Sequence, residues 1–210
     1  MLSKQGIQQE RFVCQTLKTD FCIFEYQTNP PDNFLSAAMT SKTVDYTKIK
    51  AIIFDVDGVL TDGKITYDAQ GKEIKSFNVK DGQMLKFMRS KGYIFGAISG
   101  RNSEALLWRL NELNIEFVRV SVNDKLSKLN EFLAIYNLNL ENICYIGDDI
   151  IDLSVLKRVG FAVVPKDAAS CVMPYANLVT EAKGGEGVVR EVIDLIMAKL
   201  GFWEDLIASK

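Results

Sequence analysis

The sequence predicts an α/β fold: a doubly wound, mostly parallel sheet with helices on both faces. Two observations carry that prediction. From Lys48 onward, short apolar runs alternate with longer segments of helical period. That β-α order places a parallel sheet between two helical layers. The polar residues best suited to chemistry recur directly after the apolar runs, and in such sheets ligands gather beyond the carboxyl ends of the strands.

The elements follow in order. KIKAIIFD reads as the first strand and MLKFMRSKG as a helix ending at Gly92. YIFGAIS is the next core strand, and SEALLWRLNELN a helix with Ser103 as its N-cap. FVRV is a short strand; DKLSKLNEFLAIYN is a helix with apolar residues at 126, 129, 132, 133 and 136. NICYIG is a strand, IDLSVLKRVG a helix and FAVV a strand, and NLVT and the helix GVVREVIDLIMAKL close the domain. One segment breaks the rhythm. GKITYDAQGKEIKSFNVKDG reads as a β-hairpin turning near AQG. It has little core of its own, so it packs either on its own domain as a flap or on a neighbouring subunit.

Residues 1–46 show neither period and contain NPPDNF and SAAMTSKT, which suits a flexible extension. Met39 opens MTSKTVDYTKIKAIIFD, so residues 1–38 are read either as an extension or as sequence upstream of the true start. The expected organisation is an extension over 1–46, one domain over 47–200 and a tail over 201–210.

The chain has 210 residues, 48% hydrophobic and 25% charged, enough for one domain with a sizeable core. Its net charge of −2 gives no electrostatic case for nucleic acid or an anionic membrane. There is no histidine, which removes histidine triads and histidine-ligated zinc. The four cysteines, at 14, 22, 144 and 171, form no CxxC pair, which favours a reducing compartment. No apolar run reaches the roughly 18 residues of a membrane helix, and MLSKQGIQQERF lacks the apolar core of a signal peptide. A soluble cytoplasmic protein is expected.

The polar strand ends narrow the chemistry. Asp55 and Asp57 end the first strand and Ser99 ends the second. Lys125 opens the helix after the third; Asp148, Asp149 and Asp152 follow the fourth. A lone aspartate after a strand is ordinarily a helix cap, and a lone lysine a solvated charge. Four such groups at successive strand ends point to one pocket instead. Close carboxylates raise each other's pKa and resist joint ionisation. A hard dication reverses that, and an oxygen-only donor set suits Mg²⁺. Residues i and i+2 of a strand share a side, so Asp55 and Asp57 can address one centre. Ser99 and Lys125 supply a hydroxyl and a point charge for a phosphoryl group. The strongest nucleophile left is a carboxylate, as in aspartyl-phosphate chemistry. Asp62, in TDGK, reads as a turn former.

These residues resemble the haloacid dehalogenase superfamily of aspartate-nucleophile phosphatases. DVDGVLTDG looks like its first motif, ISGR its second, the lysine of NDKL its third and GDDIID its fourth. Residues 48–199 further resemble the 3-deoxy-D-manno-octulosonate 8-phosphate (KDO 8-phosphate) phosphatases. The shared signatures are LTDGKITYDAQGKEIKSFNVKDG, ISGRNS with Arg109 further along the helix, YIGDDIIDL and GGEGVVREV.

The resemblance implies Asp55 as nucleophile and Asp57 as general acid, then base. It implies Mg²⁺ held by Asp55, the backbone carbonyl of Asp57 and Asp148, with Asp149 orienting them. Ser99 and Lys125 are implied to bind the phosphoryl group. Asn78, Lys80, Asp81 and Gly82, with Lys86, Arg101 and Arg109, match positions that contact the sugar acid and its phosphate. Arginine forks suit a substrate that carries both carboxylate and phosphate. The implied partner is a small sugar acid phosphate, and the implied assembly a homotetramer with hairpins packed together and a neighbour's C-terminal segment over the site. The gaps from Asp55 to Ser99 and from Lys125 to Asp148 leave no room for a folded cap domain, so a capless, HAD-like Rossmannoid fold is expected.

Some positions depart from the pattern. DGQML has Met84 where glycine is usual, and Val120 and Ser121 replace a common QG pair before the lysine. Both bear on the identity of the sugar. Phe202 and Trp203 in the tail are read as anchors or as closing residues. Three rivals remain: a receiver domain, disfavoured by DxDG and GDDxxD at the first and fourth strand ends; a non-catalytic oligomerisation module; and a phosphatase for a nine-carbon sugar acid phosphate.

Overall fold

Four consecutive apolar residues, AIIF, form β1 (Ala51–Phe54), and all four are buried. A strand with no polar side is one whose sheet is covered on both faces. The computed structural model describes residues 43–208; the expectations for residues 1–38 and for a start at Met39 lie outside the described residues. β1 pairs in parallel with β4 (Ile94–Ile98) on one side and β6 (Ile143–Ile146) on the other. β5 (Phe117–Arg119) flanks β4, while β7 (Phe161–Val164) and β8 (Leu178–Val179) extend beyond β6. The order is β5-β4-β1-β6-β7-β8, with every pairing parallel. The chain winds one way from β1 and then the other, so β1 lies at the topological switch point where such sheets bind ligands.

Alternation along β1 divides the core. Ile52 and Phe54 join Leu85 of α2 (Leu85–Ser90), Leu106 of α3 (Glu104–Glu112) and Ile196 of α6 (Val188–Leu200). Ala51 and Ile53 face the opposite layer, with Leu129 and Phe132 of α4 (Lys125–Tyr136) and Val155 of α5 (Leu153–Leu156). This is the doubly wound arrangement the sequence predicts.

Local signals hold at most helix ends. Ser103 accepts the Leu106 amide at 3.3 Å and caps α3. Asp124 accepts the Ser127 amide at 3.1 Å, which makes Lys125 the first residue of α4. The helix expected over IDLSVLKRVG is shorter, a 3₁₀ turn over Ile150–Asp152 followed by α5. Its first turn is tightened because the Asp152 carboxylate is drawn back to the amides of Asp148 and Asp149. A further turn, α1 (Lys80–Gln83), precedes α2, and Met84 at their junction packs against the core.

The hairpin forms as β2 (Thr66–Tyr67) and β3 (Glu73–Ile74), antiparallel. Asp68 closes its turn by accepting the amides of Gln70 and Lys72 at 2.9 and 2.8 Å. At the ends of the domain, Val44 and Tyr46 already pack on the core, Tyr46 edge-on to Phe161 at 5.3 Å. The tail forms α7 (Phe202–Ala208). Phe202 meets Tyr93 edge-on at 6.5 Å, and Trp203 Nε1 donates to the Asp194 carbonyl at 3.4 Å. Both aromatic residues are therefore anchors on their own domain. No helix among the described residues is long and apolar enough to cross a membrane.

Candidate active site

The carboxyl ends of β1, β4 and β6 bring buried charge together. Asp55 follows β1, is 6% exposed, and accepts the Val56 amide at 2.7 Å. Lys125 Nζ lies 2.8 Å from Asp55 Oδ2 and 2.7 Å from Asp152 Oδ1, with its side chain wholly buried. Asp152 is fully buried and takes three further donors: Tyr145 Oη at 2.6 Å, and the amides of Asp148 and Asp149 at 3.1 and 3.3 Å. An ion pair this deep is tolerated only when its remaining hydrogen-bonding capacity is satisfied. Asp152 meets that condition, so it braces Lys125 against the strand end of β6.

The electrostatics follow. Burial pushes the Asp55 carboxyl up to about 6; Lys125 pulls it down and Asp152 pushes it up. Burial, with Asp55 and Asp152 adding, raises Asp148 to about 7. Burial works against the Lys125 ammonium, but Asp55 and Asp152 more than offset it and hold its pKa above the ordinary value. Asp55, Asp148 and Asp152 each place an oxygen within 4.8 Å of the others. Oxygen-only donors crowded this closely repel one another, and a hard dication such as Mg²⁺ relieves that repulsion. Asp55 and Asp148 are the members suited to hold it, because the oxygens of Asp152 are already committed.

Two glycines make room for this cluster. A Cβ on Gly58, whose φ is +82°, would lie 2.0 Å from Asp148 Oδ2. A Cβ on Gly184 would lie 2.2 Å from the Gly58 carbonyl. The GGEG stretch is therefore a close-packing device, seated on the DVDG loop and tied by Gly184 N to Asp167 at 2.9 Å.

Above this floor sits a rim. Asp57 Oδ1 contacts Lys75 Nζ from the hairpin and accepts the Thr61 hydroxyl at 3.4 Å. Glu73 lies 2.6 Å from Lys75 Nζ and accepts Arg101 Nη2 at 2.8 Å. Lys75 and Arg101 together hold the Glu73 carboxyl below its usual range. Ser99 is buried at the end of β4, and its hydroxyl accepts the Arg101 amide at 3.2 Å.

The other expected residues divide. Asn78 and Arg109 come together, with Arg109 Nη2 donating to the Asn78 carbonyl at 3.2 Å. Lys80 and Lys86 are exposed. Asp81 turns inward instead: it is 2% exposed and accepts the Arg190 amide at 3.0 Å, serving the first turn of α6. Burial raises it to about 6 against the pull of the α6 amides. Gly82 is a packing position, since a Cβ there would lie 2.6 Å from Leu113. Asp149 is exposed and caps the Ile150 amide at 2.6 Å. Asp152, by contrast, reaches further back into the strand end, where it meets Lys125 and the Asp148 amide. Asp62 accepts the Lys64 amide at 3.1 Å, as a turn former does.

Sequence reasoning missed Tyr145, Glu73 and Lys75. The last two carried a signal, two charges at i and i+2 in the second arm of the hairpin, but nothing local says which way a hairpin faces.

A parallel sheet ending in a buried Asp–Lys–Asp cluster, with a second acidic group two residues past the first, defines the aspartate-based hydrolases. Residues 120–192 match the family of haloacid dehalogenase-like hydrolases. The 3-deoxy-D-manno-octulosonate 8-phosphate phosphatase of Yersinia pestis is 42% identical over 149 residues, 71% of this chain and 80% of that one. The chain belongs to this phosphatase family of the haloacid dehalogenase superfamily. Solved structures agree. The Moraxella catarrhalis phosphatase, in complex with magnesium ion, phosphate ion and KDO, superposes with TM-score 0.75 at 34% identity, covering 78% of this chain and 96% of that one. The cobalt-bound enzyme of Haemophilus influenzae gives 0.71 at 35%, covering 74% and 90%.

Proposed function

We propose that the chain hydrolyses KDO 8-phosphate to KDO and inorganic phosphate through an aspartyl-phosphate intermediate. The observation that carries this is the buried Asp55–Lys125–Asp152 cluster at the switch point of the sheet. An Asp55 oxygen attacks phosphorus while the bond from phosphorus to the sugar oxygen breaks. Asp57 gives its proton to that departing oxygen. It then takes a proton from the water that displaces Asp55 from phosphorus, which restores both carboxyl groups. Lys125 balances charge on the phosphoryl oxygens without moving, because Asp152 holds it from behind. Mg²⁺ held by Asp55, Asp148 and the Asp57 carbonyl would neutralise phosphate charge and let both carboxylates stay ionised.

Ser99 serves the phosphoryl group, and Arg101, Arg109, Asn78, Lys80 and Lys86 serve the sugar acid. The proposal includes one folded domain over 47–200 with its tail docked on it, a cytoplasmic location and a homotetramer built through the hairpins. Ile74, half exposed on the outer side of β3, supports that assembly; light scattering in solution tests it.

Phosphate release from KDO 8-phosphate, nine-carbon sugar acid phosphates and simple sugar phosphates tests the substrate. KDO 8-phosphate should exceed the others in kcat/KM by at least about tenfold, with turnover stopped by EDTA and restored by Mg²⁺. A nine-carbon preference would reassign the substrate. No release from any compound would leave a non-catalytic module.

A further inference from the structure

A small hairpin ordinarily turns apolar side chains toward its domain. This one turns charge inward. Glu73 in β3 and Lys75, the residue just past its end, both turn toward the domain, while Ile74 between them is 50% exposed. The Lys75 side chain is 1% exposed, with its ammonium against Asp57 Oδ1 and 2.6 Å from Glu73. Burying an ammonium costs several kcal/mol unless it is well paired, so this is not the default fate of a lysine on a surface hairpin.

The two oxygens of Asp57 are consequently unequal. Oδ1 takes Lys75 and the Thr61 hydroxyl. Oδ2 is buried without a hydrogen-bond partner, and Arg101 Nε stands 3.8 Å away. An ammonium can only donate. While Lys75 occupies Oδ1, a proton on Asp57 belongs on Oδ2. We propose that Lys75 is a positioning residue for the acid–base steps: from the hairpin it holds Oδ1 as a permanent acceptor and commits Oδ2 to proton transfer. This deepens the reading of Asp57 as acid and base, and rests on it. Oδ2 releases its proton to the sugar oxygen as that oxygen's bond to phosphorus breaks and the bond from Asp55 to phosphorus forms. The same Oδ2 later receives the proton of the attacking water as the Asp55–phosphorus bond breaks. Without Lys75 the carboxyl is free to rotate and to carry its proton on the wrong oxygen.

The test uses the leaving group. A sugar alkoxide needs a proton in order to leave; p-nitrophenolate does not. kcat/KM covers the steps up to loss of the leaving group, so it is measured for both substrates in the full-length Mg²⁺-loaded protein. Lys75→Met should lower kcat/KM for KDO 8-phosphate by roughly tenfold to a hundredfold, through kcat rather than KM. With p-nitrophenyl phosphate the loss should stay within about threefold. Lys75→Arg, which also only donates, should recover most of the rate. If Lys75→Met does not fold, Lys75→Gln, whose amide can also accept, should show the same dependence on leaving group. Lys72→Met breaks only the exposed Lys72–Glu104 pair at 2.5 Å and should leave both substrates unaffected.

Equal losses on both substrates, or a rise in KM alone, would overturn the proposal and make Lys75 a packing or substrate contact. A selective loss in Lys72→Met would also overturn it, giving the effect to hairpin docking as a whole. Asp57→Asn separates the two layers. No leaving-group selectivity in that variant removes the acid–base reading itself; selectivity there but not in Lys75→Met removes only the role of Lys75.

Discussion

The floor and the rim of the site use the same charged groups on very different supports. On the floor, Asp55, Lys125 and Asp152 stand at the ends of core strands and a helix start, exposed by 6%, 1% and 0%. On the rim, Asp57, Glu73, Lys75 and Arg101 come from a loop and from a hairpin with strands of two residues. Hydrophobic packing on both faces of the sheet fixes the floor before any charge is considered. Little but ion pairs fixes the rim. Changes on the floor are therefore expected to cost rate and, where they unpair buried charge, fold as well, whereas changes on the rim should cost mainly rate.

That contrast can be broken experimentally, and the largest effect is expected on the floor. Asp55→Asn removes the proposed nucleophile and should lower turnover by at least about a thousandfold, while circular dichroism shows the fold retained. Substantial phosphatase activity in that variant would remove Asp55 from its role. Lys125→Met should cost fold as well as rate. It leaves Asp55 and Asp152 buried without their shared cation, a loss of about 3–5 kcal/mol by urea unfolding. A loss under about 1 kcal/mol would mean that floor and rim do not differ in the way described.

A third prediction concerns Asp81, which the fold uses away from the floor. Burial raises its pKa from 3.8 to about 6, so the folded state binds its proton more tightly than the unfolded chain does. Its contribution to stability is therefore fully present below about pH 4 and is lost as pH rises through 6. Asp81→Asn cannot ionise but can still accept the Arg190 amide. Relative to this variant, the native chain should lose about 2–3 kcal/mol between pH 4 and pH 7. Parallel stability curves across that range would refute the assignment. The smallest effect belongs to Ser121, whose φ of +55° lies in the left-handed region. Glycine takes that conformation without strain, and Ser121→Gly should stabilise the fold by about 1 kcal/mol, read as a small rise in Tm.

Most of the floor was legible in the sequence. Asp55, Ser99, Lys125 and Asp148 each follow an apolar run, and a strand followed by a helix puts such residues at one edge of a sheet. The aspartate after next in GDDIID was visible too, yet its task was not. Whether Asp149 or Asp152 reaches back to Lys125 depends on a tightened first turn that propensity does not reveal. Asp81 shows the opposite failure. Its motif position suggested substrate, but the structure sets it against α6, where unsatisfied amides and a positive helix end attract a carboxylate.

What the sequence determined by itself is what short-range pattern can encode: strand and helix periods, the N-cap Ser103, the hairpin turn, and acidic residues at strand ends. Tertiary structure alone decided which charges meet. Lys75 reaches Asp57 across 18 positions, Lys125 reaches Asp152 across 27, and Asp81 reaches Arg190 across 109. Those pairings are settled by how the hairpin and helices pack on the sheet, because a side chain's charge states what it can bind and only its burial and neighbours state what it does bind.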